Sequence, residues 1–479
     1  FFKGATMNSF TKVLIIGGGP AGSTAATLLA RAGIEVTLIE KEVFPRYHIG
    51  ESLLPSCLEI LDLLGLREKV DAYGFTRKGG GYFEWGTEEW ELDFSKLRHP
   101  YSYQVVRSEF DHLLLEHAKN QGVKVYEGYE IRKLDFDGDR PKSASWSKVG
   151  EDGNKGEIAF DYLIDASGRA GIMSTRYLRS REYHSAFQNV GVWGYWQDTK
   201  RLPPPQSGSI AVGSIPEGWI WAIPLHDGTM SVGLVTHKTS FKARREQGAT
   251  VEQIYMDAIN SCPLITNLIS TGKLVTPVTA EQDYSYMSQT FAGPGYFMAG
   301  DAACFIDPLL STGVHLATYS AMVAAASLIS VLRGEIPEDE AAAFHDQSYR
   351  HSYLRLMLIV SGMYQQYNGK DSYFWQAQQL TGTEYAQNPD MQLAFLQVVS
   401  GMEDIKDSEE TAQVVVPESD ASSLLKEHSQ TLLAAEEAER QMAIYKLYSS
   451  VVTRFSMSAD TAINGWYITT KPSFGLARA

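Results

Sequence analysis

Three glycines stand where a predicted strand turns into a predicted helix, at the spacing of a phosphate-binding turn. Gly17, Gly19 and Gly22 follow the apolar residues 12–16 and lead into a helical pattern over 23–32. In such a unit the first glycine permits the tight turn, the second lets a pyrophosphate approach the backbone, and the third lets helix and strand pack closely. The helix N-terminus would supply unpaired N–H groups for the phosphates.

An acidic residue ends the next predicted strand, residues 35–39. Glu40 lies about 20 residues past Gly19, where a carboxylate accepts a hydrogen bond from a ribose 2′-hydroxyl. A 2′-phosphate would be repelled there, so an adenosine with a plain ribose is favoured over NADP. These residues predict dinucleotide binding and leave NAD and FAD open.

Two further motifs select the flavin. Residues 165–169 read Asp-Ala-Ser-Gly-Arg after a short apolar strand, and the pair Gly300 and Asp301 follows another strand. With Gly-Gly-Gly-Pro-Ala-Gly at 17–22, they resemble, in the same order, the FAD-dependent monooxygenase superfamily. The resemblance implies a Rossmann-like FAD-binding domain in which Asp301 meets the ribityl chain of the flavin.

An aromatic motif narrows the resemblance. Residues 218–224 read Gly-Trp-Ile-Trp-Ala-Ile-Pro, which is similar to the WxWxIP signature of flavin-dependent halogenases. Alternation along a strand places Trp219, Trp221 and Ile223 on one face. The resemblance implies that this face, with Pro224, shields the flavin from the second substrate. The alternative is an aromatic stripe that only fills a core.

A lysine precedes Phe83 and Trp85 in a glycine-rich run. Flavin-dependent halogenases, which this run resembles, have an essential lysine here, so Lys78 is expected to be catalytic. Oxidised halide leaves as hypohalous acid, which is mobile and indiscriminate. An ammonium can hydrogen-bond it, or an amine can capture it, and present the halogen to one carbon. The alternative is a solvated loop charge.

A Ser-Thr-Gly run supplies the predicted halide site. In halogenases this run binds chloride through backbone N–H groups, and Ser311, Thr312 and Gly313 match it. A helix that begins near Val314 would direct its N-terminal dipole at the anion. Leu310 stands where tryptophan halogenases have a glutamate, which favours a ring that activates itself, such as a phenol or a pyrrole.

The loop 44–55 also resembles the phenol and pyrrole halogenases, where it covers the flavin. Arg107 matches an arginine near the flavin, although a surface arginine at a helix start is the alternative. The residues predicted to bind FAD are Gly17, Gly19, Pro20, Ala21, Gly22, Glu40, Lys41, Arg46, His48, Ile49, Gly50, Ser52, Arg107, Asp301, Pro308, Gly313 and Val314.

The resemblance implies an enzyme that uses FADH2, O2 and chloride or bromide to form hypohalous acid, which Lys78 relays to an electron-rich ring in secondary metabolism, for example antibiotic biosynthesis. Because one dinucleotide fingerprint is present, a separate NADH-dependent flavin reductase is the implied source of FADH2. The ring would be free or carried on an acyl or peptidyl carrier protein. The basic runs 176–181, 200–201 and 242–245 are candidate docking sites for such an acidic carrier.

Two other interpretations stay open. One is an FAD-dependent aromatic hydroxylase or saturase of the same superfamily, against which Lys78 and the tryptophan motif argue. The other is a flavin-binding protein without halogenation chemistry, which Leu310 keeps in play. Turnover with a phenol, with and without bromide, separates these possibilities.

The elements that position these residues predict an α/β protein. We expect a Rossmann-like FAD-binding domain over 7–180, an inserted antiparallel substrate sheet over 181–285, a return to the FAD domain over 286–335 and a helical region over 336–479. The net charge of −15 argues against nucleic acid as a partner. Three scattered cysteines predict neither a disulfide framework nor a zinc site. Without an apolar run of about 20 residues, a cytoplasmic protein that does not contact a membrane is expected.

Overall fold

The structure is a computed structural model that describes residues 7–86, 88–96, 99–151, 153–366 and 457–479. In these ranges the strands are β1 Phe10–Ile16, β2 Val36–Glu40, β3 Thr76–Lys78, β4 Gly80–Trp85, β5 Glu88–Asp93, β6 Ser102–Gln104, β7 Lys124–Glu127, β8 Tyr129–Asp137, β9 Arg140–Lys148, β10 Lys155–Asp165, β11 Arg181–Gln197, β12 Ile210–Ile215, β13 Gly218–Pro224, β14 Met230–His237, β15 Lys273–Leu274, β16 Thr279–Ser288, β17 Ala292–Gly293, β18 Tyr296–Met298, β19 Cys304–Phe305, β20 Trp466–Thr469 and β21 Gly475–Arg478. The helices in the same ranges are α1 Pro20–Arg31, α2 Ser56–Leu64, α3 Arg67–Tyr73, α4 Arg107–Asn120, α5 Lys238–Glu246, α6 Val251–Asn260, α7 Pro263–Leu268, α8 Gly313–Leu332 and α9 Glu338–Gln366.

The first sheet carries the nucleotide-binding architecture. Its strand order is β17-β18-β10-β1-β2-β7, and the hairpin β8–β9 pairs with β10. The central pairs β18–β10, β10–β1, β1–β2 and β2–β7 are parallel, as the βαβ pattern of the sequence predicts. Parallel strands need coverage on both faces, and α1 and α8 pack on each other beside this sheet.

The second sheet has the order β19-β16-β11-β14-β13-β12-β4-β5, with β15 beside β11. All its pairings are antiparallel except β12 with β4, which is parallel. It extends beyond the predicted segment 181–285, because β4 and β5 come from earlier in the chain and β19 from later. Residues 286–335 contribute β17 and β18 to the first sheet.

Strand β13 belongs to two cores at once. Trp219, Trp221 and Ile223 lie in the large core shared with the first sheet. Ile220 and Ala222 point to the other face, into a smaller core closed by α6 and α7. Every residue of this strand is buried. The alternation predicted from the sequence therefore sorts its side chains between two environments.

Two regions that are predicted to be helical differ from the structure. The pattern over 53–70 predicts one helix, but α2 ends at Gly65, whose φ of 70° is left-handed, and α3 begins afterwards. The region 336–479 is predicted to be helical, and α9 agrees, whereas the last described residues form the antiparallel pair β20–β21. The predicted acidic loop 402–423 lies outside the described residues.

Helix α8 is, among the described residues, the one helix long and apolar enough to cross a bilayer. Within its most apolar window 94% of the residues are buried inside the protein. Its composition is that of a core helix packed between α1, α2 and α9.

Candidate active site

Three sequence motifs meet at one edge of the parallel sheet. Ile16 pairs with Asp165 across β1 and β10, and Asp165 pairs with Met298 across β10 and β18. The turns that follow these strands therefore leave the sheet side by side, where ligands bind in open α/β sheets. A cavity of about 800 Å³ opens there and reaches the second sheet.

Most predicted site residues line this cavity. The lining includes Gly17, Gly19, Pro20, Ala21, Glu40, Lys41, Arg46, His48, Ile49, Gly50, Ser52, Arg107, Trp219, Trp221, Ile223, Asp301, Pro308, Ser311, Thr312, Gly313 and Val314. Gly22, Lys78 and Pro224 do not line it.

The glycine turn leaves no room for side chains at two positions. A Cβ on Gly17 would lie 2.2 Å from the carbonyl oxygen of Ala166, and a Cβ on Gly22 would lie 1.9 Å from the carbonyl oxygen of Gly17. Gly17 also has a φ of 103°. Gly19 precedes α1, and no side chain caps that helix. The turn therefore presents bare backbone N–H groups to the cavity.

Glu40 is held at the end of β2 by the backbone. Its Oε2 accepts a hydrogen bond from the N–H of Gly18 at 2.6 Å, and its Oε1 accepts one from the N–H of Glu42 at 2.8 Å. A carboxylate oxygen has a second lone pair, so a sugar hydroxyl can still donate to this group.

A buried ion-pair cluster supports the loop 44–55. Arg107 donates to Asp111 through Nε at 2.8 Å and Nη2 at 2.9 Å, and Arg46 lies 3.1 Å from the same carboxylate. Arg107 also donates to the carbonyl oxygens of Ile49 and Gly50. Burial alone would raise the pKa of Asp111, but the charge of Arg107 outweighs it and the pKa is lowered. Arg107 is therefore a buried anchor and not a surface residue.

The tryptophan motif is fixed through its indole N–H groups. Trp219 Nε1 donates to the hydroxyl of Tyr364 at 2.7 Å, and Trp221 Nε1 donates to Ser231 Oγ at 3.2 Å. A Cβ on Gly233, the cross-strand partner of Trp221, would lie 2.1 Å from the indole ring. The glycine therefore lets the indole lie flat on the sheet beside the cavity.

The predicted halide run combines a helix start with an unsatisfied hydroxyl. Ser311 has a left-handed φ of 60°, and Thr312 is the N-cap of α8 without making a side-chain cap bond. Thr312 Oγ1 is buried and has no hydrogen-bond partner among the described residues. A buried donor without a partner beside unpaired helix N–H groups suits a small anion.

Asp307 stabilises the turn before this run. Its Oδ1 accepts a hydrogen bond from the N–H of Leu309 at 3.0 Å. Its Oδ2 accepts from Asn189 at 3.0 Å and from the hydroxyl of Tyr364 at 2.9 Å. Burial raises the pKa of Asp307 above its usual range. Tyr364 thus links the Trp219 wall to the turn.

Lys78 lies behind the cavity wall. It ends β3 and is 2% exposed, and its Nζ donates to the carbonyl oxygen of Leu53 at 3.1 Å. The amine also lies 5.4 Å from the centroid of the Phe94 ring. Burial lowers the pKa of Lys78 to about 7. The neighbour of Leu53 in the chain, Ser52, lines the cavity.

Several residues of the site were missed by sequence reasoning. Asp111 follows Arg107 by four positions on a predicted helix, and this spacing is a usable signal for an ion pair. Glu51 lies inside the loop 44–55 and lines the cavity. Tyr195 and Tyr364 carry no local signal, because only the packing of distant elements brings them to the site.

Comparisons with known proteins agree with this geometry. The family model described as "FAD binding domain" matches residues 10–353. A tryptophan 2-halogenase of Chondromyces crocatus is 46% identical to this chain over 98% of this chain and 94% of the relative. The chain belongs to the flavin-dependent halogenases. A flavin-dependent halogenase of Armillaria mellea is 42% identical over 76% of this chain and 74% of the relative.

The solved structure of the myxobacterial chondrochloren halogenase, described as a variant of FAD-dependent halogenases, superimposes with a TM-score of 0.74. The two chains are 31% identical, and the superposition covers 95% of this chain and 99% of the chondrochloren halogenase chain. The halogenase is thus an FAD-dependent enzyme, and its cavity fits FAD. Gly17 and Gly22 leave the backbone bare, Glu40 can accept from a ribose, and the N-terminus of α1 suits a diphosphate. When bound, FAD supplies the oxidation chemistry.

Proposed function

We propose that this halogenase oxidises chloride or bromide with FADH2 and O2 and passes the halogen through Lys78 to an electron-rich aromatic ring. The observation that supports the relay is the buried amine of Lys78, held by one carbonyl group next to the cavity wall. Because its pKa is about 7, protonated and neutral forms coexist near neutral pH. The ammonium can hydrogen-bond hypohalous acid, and the neutral amine can accept the halogen.

The halide would bind at Ser311, Thr312 and Gly313. The start of α8 and the unpartnered hydroxyl of Thr312 support this site. The buried carboxyl groups of Asp307 and Asp283 both have raised pKa values, caused first by burial, which reduces their tendency to carry negative charge near the anion. Asp283 is also paired with Arg169 at 3.1 Å, and this cation offsets its charge.

The ring we propose is phenolic or pyrrolic. Leu310 is buried and apolar, so it offers no carboxylate to activate a poor nucleophile. The relative from Chondromyces crocatus is named a tryptophan 2-halogenase, and this name favours an indole as the second candidate. Carbon 2 of an indole belongs to its pyrrole ring, so a pyrrole and an indole both present an electron-rich carbon beside nitrogen.

We propose that a separate NADH-dependent reductase supplies FADH2 and that the ring arrives free or on an acidic carrier protein. The basic runs offer limited docking charge, because many of their members are engaged within the protein. Arg244 lies 2.5 Å from Asp257, and Arg181 donates to the carbonyl oxygen of Arg169. A free ring is therefore the form to test first.

The test compares Lys78→Ala with Lys142→Ala, a control at an exposed position outside the cavity. Each protein receives FADH2, O2 and a phenol, a pyrrole or an indole, with and without bromide, and products are measured by mass spectrometry. We expect Lys78→Ala to oxidise FADH2 normally and to lose ring bromination by about 100-fold or more. Retained bromination would remove Lys78 from the mechanism. A product heavier by one oxygen would establish the hydroxylase instead.

A further inference from the structure

A buried carboxyl group of the cavity has no part in the function described above. Glu51 is 2% exposed and lines the cavity. Its Oε1 accepts a hydrogen bond from the hydroxyl of Tyr195 at 2.5 Å, and its Oε2 lies 3.4 Å from the hydroxyl of Ser231. Both neighbours are donors, so the carboxyl group is an acceptor at the end of a hydrogen-bonded path.

The path continues to a half-exposed tyrosine that also lines the open cavity. The hydroxyl of Tyr195 lies 3.0 Å from that of Tyr47, whose side chain is 57% exposed. Trp193 donates its indole N–H to the Tyr47 oxygen at 2.6 Å. Two phenol groups therefore connect water to a carboxyl group that water itself hardly reaches.

The donor and acceptor roles along this path are fixed in one direction. An indole N–H is only a donor, so the Tyr47 oxygen must accept from Trp193 and its own proton points elsewhere. Tyr195 donates to Glu51, which leaves the Tyr195 oxygen free to accept from Tyr47. A proton taken up by Tyr47 can move to Tyr195 as the Tyr195 proton moves to Glu51.

The reaction requires such a proton. Reduced flavin, O2, one halide ion and one proton become oxidised flavin, hypohalous acid and water. O2 accepts four electrons, two from the reduced flavin and two from the halide, and its O–O bond breaks. One oxygen leaves as water and the other bonds to the halogen. One proton must therefore enter from solvent in each turnover.

We propose that Tyr47, Tyr195 and Glu51 form a proton-entry path from solvent to the cavity, with Glu51 as the residue that holds the proton. The proposal rests on the halide oxidation proposed above and does not depend on Lys78 or on the ring. It predicts that breaking the path slows the formation of hypohalous acid itself.

The surroundings of the path favour the protonated forms of its members. Burial raises the pKa of Glu51, against hydrogen bonds from Tyr195 and Ser231 and the charge of Arg107. Burial also raises the pKa of Tyr195, and the charge of Glu51 adds to this increase. The pKa of Tyr47 is raised by burial and by Glu51, although hydrogen bonds with Tyr195 and Trp193 oppose the increase. Glu281 is the other charged group that acts on Tyr47. Neutral phenols can pass a proton along without ionising.

The first measurement follows hypohalous acid with a freely diffusing 1,3-diketone trap, so it needs no ring substrate. Tyr195→Phe removes the middle hydroxyl, Tyr47→Phe removes the entrance, and Tyr183→Phe is the control at another exposed tyrosine outside the cavity. We expect the trapping rate to fall about 10-fold or more in Tyr195→Phe, less in Tyr47→Phe and not in the control. Added phosphate, whose dihydrogen form is a small proton donor near neutral pH, should restore much of the loss.

The second measurement needs no turnover. Infrared spectra of the FAD-loaded protein before and after transfer to D2O report the carboxylic-acid stretch of Glu51, identified by its loss in Glu51→Gln. We expect deuterium to reach this group more slowly in Tyr195→Phe and Tyr47→Phe than in the wild type.

The two measurements distinguish the possible outcomes. Trapping rates equal to the control, or a loss of rate without rescue by phosphate and with unchanged deuterium exchange, would overturn the proton path. If Lys78→Ala keeps both a normal trapping rate and normal ring bromination, the lysine relay fails while the proton path stands.

Discussion

The two ends of the cavity use opposite electrostatics. At the end formed by the parallel sheet, the charged groups have fixed partners: Asp111 is shared by Arg107 and Arg46, and Glu40 is bound by backbone N–H groups. Beside the second sheet, the buried carboxyl group of Glu51 has a raised pKa, and the buried amine of Lys78, on β3 outside the cavity lining, has a lowered pKa.

We propose that this difference separates the binding of the cofactor from the chemistry. A site that holds a diphosphate benefits from groups whose charge does not change near neutral pH. A site that moves protons and an oxidised halogen needs groups close to their titration points. The first end therefore resembles a fixed anchor, and the second a set of groups that exchange charge.

The largest effect is expected from breaking the anchor. Asp111→Ala would leave Arg107 and Arg46 buried without their counter-ion, which costs about 3–5 kcal/mol of unfolding free energy. FAD affinity should fall as well, because Arg107 holds the loop at Ile49 and Gly50. Urea denaturation and FAD titration measure the two effects.

The control for this variant is Glu116→Ala on the same helix. Glu116 pairs with Lys119 while 42% exposed, so its loss should cost less than about 1 kcal/mol of unfolding free energy.

The pH dependence of the stabilisation by Asp111 has a defined sign. Because the folded pKa of Asp111 is lowered, its stabilisation is present above the unfolded pKa of about 4 and is lost as the pH falls through the folded value. Equal losses of unfolding free energy in Asp111→Ala and Glu116→Ala would contradict the role of Asp111 as a buried anchor.

A smaller effect of opposite sign is expected at the other end. Lys78→Met removes a buried amine whose folded pKa, about 7, lies below its ordinary value. The unfolded wild type binds more protons than the folded one between that value and about 10.5, so wild-type stability rises with pH across this window. We expect the variant to be more stable at pH 7, on the order of 2 kcal/mol, and the gain to shrink towards pH 10.

Urea denaturation at several pH values tests this prediction, with Lys142→Met as the exposed control. A variant that is less stable than the wild type at pH 7 would show that the amine is better solvated than its burial indicates.

The smallest effect concerns the halide run. Thr312→Val replaces a buried hydroxyl that lacks a partner among the described residues, so the halide-free protein should gain about 1 kcal/mol. Bromide affinity should fall about fivefold, because one donor to the anion is lost. Thr37→Val is a matched control, since its hydroxyl in β2 is also buried without a partner in the described structure. Its stability should rise while bromide affinity, measured by titration of the flavin absorbance, stays unchanged.

The sequence predicts what is local. Gly17, Gly22 and Glu40 are encoded by spacing within one βαβ unit, and the structure places them at the turn and the strand end as that spacing requires. Trp219 and Trp221 are encoded by alternation along one strand. Such features need no knowledge of distant packing.

The rest of the site depends on contacts between elements far apart in the chain. Tyr364 reaches Trp219 across 145 positions, and Tyr195 reaches Glu51 across 144. Local patterns also cannot show that Gly65 ends a helix or that the C-terminal residues form a hairpin, because apolar spacing alone does not distinguish these cases.

The alternation of β13 limits how this enzyme can acquire new substrates. Exchanging one side chain at Trp221 or Ile223 reshapes the reaction chamber while Ile220 and Ala222 keep the opposite core filled. Adding or deleting one residue would exchange the two faces of the strand. The indole rings would then point towards α6 and α7, and the smaller aliphatic side chains would point towards the cavity. Diversification along this strand should therefore proceed by point replacement and not by changes in length.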